Sequence, residues 1–374
     1  MIYFDNAATT KPSEIAVTKA QQFYNEYYYN PSALYKDGLN VSKFIKSAKE
    51  TILSVLGARS HDVIFTSCGS ESNNTAIFGA VKRGVFVTDK GEHASVNACF
   101  LEKKNCGEKV VFIDLLPDGS VDTIKLYDYV KNNRVDFVSI IQVNNETGAI
   151  NDVNKICETI KKINSKILIH VDGVQAFGKI PFYLSDYIDY YSISAHKING
   201  LKGTGALIKR KNSKLSPLIL GGGQENGLRS GTENVFGIKV FDLVTKEHYK
   251  NIKDNLEHVK TLNETVKEQL DKEIFKIISS DKCSPYILSV SAVGLRGEVI
   301  MHTLEEKGIL VGNGSACSSR NRFSRVIEAC GYDTKVLDGV LRISFSPDNT
   351  IEEVQALIKN LNEIALNLKG IMKI

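Results

Sequence analysis

Apolar residues recur along this chain in two different rhythms. Val41, Ile45, Ala48, Ile52 and Val55 step by four and three within residues 38–57, the spacing of one buried helical face. Gly57 follows, where a helix C-terminus favours a left-handed residue. From about residue 60 the pattern becomes short, nearly continuous apolar runs at 62–66, 85–88, 110–115, 136–143, 167–171 and 188–193. Runs without polar alternation suit strands covered on both faces. Repeated strand and helix units to about residue 210 therefore predict an α/β fold, with a large, mainly parallel sheet between helices.

A glycine-rich break at Gly221, Gly222 and Gly223 comes next, and residues 234–273 read as one long connecting helix. Beyond it, strands near 274–279, 286–293 and 340–345 predict a smaller α/β domain. The expected division is a large domain over 15–250 and a small domain formed by 1–14 with 251–374.

Composition narrows the function classes. The 374 residues are 43% hydrophobic and 24% charged, as in ordinary globular proteins. A net charge of +4 is too small to indicate a nucleic-acid partner. Lys209, Arg210, Lys211 and Lys214 read as a solvated strand end. No apolar run approaches the ~20 residues of a membrane helix, and the first residues lack a signal-peptide pattern. No membrane partner is expected, and the expected location is cytoplasmic. Seven cysteines, odd in number and without C-x-x-C, argue against a disulfide framework or a zinc site. Most are expected to be buried as small hydrophobes.

Two strand ends carry the chemistry. The run 188–193 leads into Ser194, His196 and Lys197, and Gly200, Gly203 and Gly205 turn the backbone just beyond. A lysine there faces the crevice where ligands of open α/β sheets sit. Desolvation favours the neutral amine that condenses with carbonyls, although a lone lysine after a strand is usually a surface residue. The run 167–171 ends on Asp172, with Gln175 three residues on. A carboxylate and an amine at neighbouring strand ends are what pyridoxal phosphate requires. The acid keeps the pyridine nitrogen protonated, and the amine holds the aldehyde.

Asp172-x-x-Gln175 with Ser194-x-His196-Lys197 resembles the cysteine desulfurases of NifS/IscS type, class V pyridoxal enzymes of fold-type I. The resemblance spans Asp5 to Arg342 in the family's order. It implies that Asp5-Asn-Ala-Ala-Thr-Thr10 packs near the active site and that Asn30, in Asn30-Pro-Ser32, contacts substrate. Tyr35 stands where the family has histidine. The phosphate loop matches at Phe65-Thr-Ser and Glu71-Ser-Asn, with Cys68, Gly69 and Ser70 in place of glycine, alanine and threonine. His93 is implied to stack on the pyridine ring and assist proton transfer. Asn145 and Gln175 are implied to bond its 3′-oxygen, with Ser194 and His196 completing the cofactor set. Thr232 would reach the phosphate of the other subunit of a homodimer, and Arg342 would pair with the substrate carboxylate. Read alone, 67–70 is an ordinary strand-to-helix turn, His93 a helix cap, Asn145 part of a turn and Arg342 an edge charge.

Cys317 lies among glycines, serines and an asparagine, with Arg320 and Arg322 nearby to favour its thiolate. Chemistry alone leaves a reactive thiol and a chance loop cysteine evenly matched. The resemblance of Gly314-Ser-Ala-Cys317 to the desulfurase motif implies a nucleophile. The expected reaction converts L-cysteine to L-alanine, leaving sulfur as a persulfide on Cys317. An acceptor protein, an iron–sulfur scaffold or a tRNA-thiolation enzyme, would take that sulfur. The loop 312–323 is polar and glycine-containing, and is expected to rearrange for that delivery. No metal site is expected, although Cys317 could ligate a transferred iron–sulfur cluster. The short tail after Arg342 suggests an acceptor surface unlike that of IscS members with longer extensions. The rivals are a selenocysteine lyase or another class V enzyme, and a non-catalytic scaffold, for which Tyr35, Cys68 and Gly69 leave room.

Overall fold

The computed structural model describes residues 1–313 and 322–372. Within them the strands are β1 (Ile2–Phe4), β2 (His61–Thr66), β3 (Val85–Asp89), β4 (Lys109–Ile113), β5 (Phe137–Ile141), β6 (Leu168–Asp172), β7 (Tyr190–Ser194), β8 (Gly205–Arg210), β9 (Phe275–Ile277), β10 (Ile287–Ala292), β11 (Ile309–Val311) and β12 (Val340–Ser344). Among the described residues, seven strands form one sheet in the order β2-β8-β7-β6-β5-β3-β4. Every pairing is parallel except those of β8, which runs against both β7 and β2. The double reversal leaves β2 pointing the same way as β7. The C-terminal ends of all strands but β8 therefore open on one edge, where ligands of such sheets bind.

The continuous apolar runs are explained by cover on both faces. Ile64, Phe137 and Tyr190 enter one core with Phe86, Phe100 and Leu207. Their chain neighbours Val63, Val138 and Tyr191 enter another, with Ile140, Val171 and Ile193, as the two-residue period of a strand requires. Burying each such side chain contributes about 1.5–3 kcal/mol. The amphipathic helix is Lys36–Val55, burying Val41, Ile45, Ala48 and Ile52. Gly57 closes it at φ +64°.

A third core joins β1, β9, β10, β11 and β12 to the C-terminal helix Ile351–Met372 through Phe4, Leu288, Ile343, Leu357 and Leu361. Strand β10 pairs antiparallel with β9 and β12, and β1 pairs parallel with β11, which brings the N-terminus to this unit. The expected single helix over 234–273 is two, Val235–Lys250 and Ile252–Gln269. Asn251, at φ −109° and ψ 11°, ends the first by donating its N–H to Glu247 O. The break turns Phe241 and Val244 into the large core and Val259, Leu262 and Val266 into the small one. Lys209 also departs from the solvated strand end expected of it. It is buried, and its ammonium donates to the carbonyls of Arg210 and Lys211 at 2.9 Å each. Cys99, Cys157 and Cys330 are buried, whereas Cys106 is exposed. No helix among the described residues is long and apolar enough to cross a membrane.

Candidate active site

Lys197 ends a 3-10 turn, Ala195–Lys197, directly after β7. Its Nζ donates to Ala7 O at 2.6 Å and to Ala8 O at 2.8 Å. The turn is clamped to the N-terminal segment, since Thr10 donates from N and Oγ1 to His196 O. Asn199 then takes φ +60°, with its N–H on Thr10 Oγ1 at 2.7 Å. Asparagine tolerates that left-handed backbone better than most residues. The polar stretch 5–10 is thus a wall of the site.

One strand over, Asp172 ends β6 and is buried. Its Oδ1 accepts from Val174 N at 3.0 Å and its Oδ2 from Asn73 Nδ2 at 2.8 Å. Two donors fix the carboxylate's orientation. Asn73 also donates to Ser95 Oγ at 2.9 Å, and Ser95 Oγ lies 2.8 Å from His93 Nδ1. His93 caps the helix Ala94–Asn105 by accepting Ser95 N–H on Nδ1. When neutral, its ring proton therefore sits on Nε2. Burial holds its pKa below the ordinary value, against the pull of the Asp172 carboxylate.

The turn after β2 leads into the helix Gly69–Ala80, and the free N–H groups of a helix start can hold an anion. Cys68 caps it at φ −173°, ψ 172°, an extended conformation open to any residue, so its Cβ strains nothing. A Cβ on Gly69 would come 2.8 Å from Val174 Cγ2. Val174 therefore occupies the space that an alanine side chain at position 69 would need. Arg229 Nε donates to Glu71 Oε1 at 2.9 Å, tying the glycine-rich segment to this turn.

Arg342, on β12, is nearly buried. Its Nη2 pairs with Asp5 Oδ1 at 2.8 Å and its Nη1 donates to Asn145 O at 2.9 Å. Its Nε is buried and unpartnered among the described residues, as are Asn145 Oδ1 and Ser194 Oγ.

Behind the site runs a buried polar chain. Glu92 Oε1 accepts from Ser139 Oγ at 2.7 Å, Ser139 Oγ lies 2.9 Å from His170 Nδ1, and His170 Nε2 lies 2.9 Å from Ser192 Oγ. Burial, then the charges of Asp89 and Asp172, favours the neutral acid at Glu92. Burial also lowers the His170 pKa to about 4, against ~6.5 in an unfolded chain. Between those values the unfolded state binds the extra proton, so stability from this group is present above ~6.5 and lost as pH falls toward ~4. The full effect is about 3 kcal/mol. A His170→Asn variant should show a shallower fall of Tm with pH across that window; an unchanged slope would refute the assignment.

These side chains surround one cavity of ≈ 530 Å³, lined by Gly69, Ser70, His93, Asn145, Asp172, Gln175, Ser194, His196, Lys197 and Arg342, and also by Cys68 and Glu92. Asn30 and Thr232 are exposed and lie outside this lining. Asn30 Oδ1 accepts Ser32 N–H at 2.9 Å, closing a turn rather than reaching the cavity. Tyr35 is 55% exposed with its ring edge-on to Tyr29. Cys317 lies outside the described residues. Sequence reasoning missed Asn73 and Asp5 as supports of Asp172 and Arg342. Each sat inside a quoted motif, but only the fold shows what it holds.

The cavity suits pyridoxal phosphate by its donor set. It has a helix N-terminus with a serine for the phosphate, a fixed carboxylate for the pyridine nitrogen and an amine for the aldehyde. Ser194 Oγ and Asn145 Oδ1, buried and unpartnered among the described residues, add polar atoms that such a group could bond.

A profile of the family described as Aminotransferase class-V matches residues 2–357. Cysteine desulfurase IscS of Dictyoglomus turgidum is 34% identical over 386 residues, covering 99% of this chain and 96% of its own length. A solved structure described as a NifS-like protein superposes with TM-score 0.90 at 34% identity, covering 97% and 98% of the two chains. Another, SspA in complex with cysteine, has TM-score 0.81 at 28% identity, covering 94% and 100%.

Proposed function

The chain belongs to the class V aminotransferase family, and on that premise we propose that it is a pyridoxal-phosphate-dependent cysteine desulfurase. The observation that carries this reading is that Lys197, Asp172 and Arg342 line one cavity although they come from the turn after β7, the end of β6 and the middle of β12. When bound there, pyridoxal phosphate supplies an electron sink that acidifies the substrate Cα proton and loosens its Cβ–S bond. Ser70, Ser194, His196 and the first N–H groups of helix Gly69–Ala80 would hold the phosphate. Asp172, fixed by Asn73, would keep a proton on the pyridine nitrogen. Arg342 would hold the substrate carboxylate, its planar fork suiting two oxygens better than an ammonium. Lys197 would take the Cα proton, its amine kept in place by the Ala7 and Ala8 carbonyls.

Cys317 is proposed as the sulfur carrier. Its thiolate attacks the substrate sulfur, so an S–S bond forms as the Cβ–S bond breaks. The three-carbon remainder takes up one proton at Cβ and regains one at Cα, and leaves as L-alanine. The persulfide then passes to an acceptor protein, an iron–sulfur scaffold or a thiolation enzyme. A Cys317→Ala variant should lose alanine production from cysteine while still binding cofactor. Retained cysteine turnover would favour a selenocysteine lyase instead.

The exposed Thr232 supports a further part of the reading, a homodimer in which it completes the partner's phosphate site. Arg229 anchors its segment beside the phosphate turn, and Leu34, Tyr35 and Leu220 offer exposed apolar surface. Sedimentation should show a dimer, and Thr232→Ala should weaken cofactor affinity by about 1 kcal/mol, the value of one hydrogen bond. A fully active monomer would contradict this.

A further inference from the structure

Gln175 carries an amide held at both ends. Its Nε2 donates to Ala7 O at 2.8 Å, and its Oε1 accepts from Lys179 Nζ at 2.9 Å. A carbonyl can only accept, so the end facing Ala7 must be the NH₂. An amine donates in either protonation state, so the end facing Lys179 suits the oxygen. The two contacts agree on one orientation. One hydrogen of Nε2 is then left for whatever occupies the cavity that Gln175 lines.

Lys179 is 3% exposed and does not itself line the cavity. Burial, with the charges of Lys197 and Arg342, brings its pKa down to about 7. A core amine is costly unless something holds it. Among the described contacts it has the Gln175 carbonyl, and its Nζ stands 5.8 Å from the centre of the Tyr286 ring.

We propose that Lys179 is a positioning residue for the reaction, holding the far end of the Gln175 amide so that the free Nε2 hydrogen stays aimed at the ring oxygen of the bound cofactor. This rests on reading the cavity as a pyridoxal phosphate site with Gln175 beside the 3′-oxygen. A donor on that oxygen draws negative charge away from the nitrogen that links Lys197 to the cofactor. That nitrogen then loses its proton at lower pH, and loss of the donor raises the midpoint.

The test is a pH titration of the visible absorption band of the holoenzyme. Lys179→Met should raise the midpoint by about one pH unit. Lys179→Gln removes the same charge but can still donate an amide N–H to Gln175 Oε1, so its midpoint should stay with the parent's. Gln175→Ala should shift as far as Lys179→Met, and the double variant no further, because the two act as a unit. Equal shifts in Lys179→Met and Lys179→Gln would overturn the proposal in favour of a through-space charge effect. So would a shift in Gln175→Ala with none in Lys179→Met, or an additive double variant. An unmoved Gln175→Ala midpoint would overturn the reading of Gln175 and the proposal with it. Lys179→Leu replaces the methionine variant if that does not fold.

Discussion

A Lys197→Ala variant is expected to lose L-cysteine turnover by at least about a thousandfold, roughly 4 kcal/mol in the barrier. In the proposed reaction the amine has two tasks, holding the aldehyde and accepting the Cα proton, and no other described lysine lines the cavity. Lys179 cannot take over from its place behind Gln175. The fold should survive, because Lys197 is only half-buried and contributes bonds to two loop carbonyls rather than to the core. Purified variant should therefore refold normally and lack the yellow band of lysine-bound cofactor. Alanine production within about tenfold of the parent, a barrier change near 1.4 kcal/mol, would remove Lys197 from its assigned role.

Asp172→Asn is expected to bind cofactor and lose most of its rate. The amide keeps the shape of the carboxylate and can still accept from Val174 N or Asn73, so the pocket should remain formed. What it lacks is the negative charge that, in the proposed reading, holds a proton on the pyridine nitrogen, and without that proton the ring is a poor electron sink. A barrier increase of about 3–4 kcal/mol, or 10²–10³-fold in kcat, follows. Alanine formation at saturating cysteine measures it. A rate within about threefold of the parent, under about 1 kcal/mol, would mean the carboxylate has no electronic role.

The large sheet was legible because β5, β6 and β7 are covered on both faces, which turns strands into unbroken apolar runs. Lys197 and Asp172 were legible for a related reason, as an amine and a carboxylate at or just beyond the ends of such runs. The antiparallel β8 was not, since an apolar run carries no mark of its direction. The helix break at Asn251 was hidden because neither glycine nor proline marks it, and only the separation of the two cores demands it. Supporting residues were the least legible. Asp5 reaches Arg342 across 337 positions and Asn73 reaches Asp172 across 99, distances over which sequence spacing says nothing. Gly69 stands where the family has alanine, and only the fold shows that Val174 fills the space such a side chain would need.

The central claim is that cysteine sulfur leaves as a persulfide on Cys317 while alanine is released. The direct measurement is a single turnover of purified, cofactor-loaded protein with L-cysteine and no reductant, followed by amino-acid analysis and peptide mass spectrometry. The expected result is alanine and a Cys317 persulfide in equal amounts. Alanine without a modified Cys317, or no alanine at all from protein that carries cofactor, would contradict it.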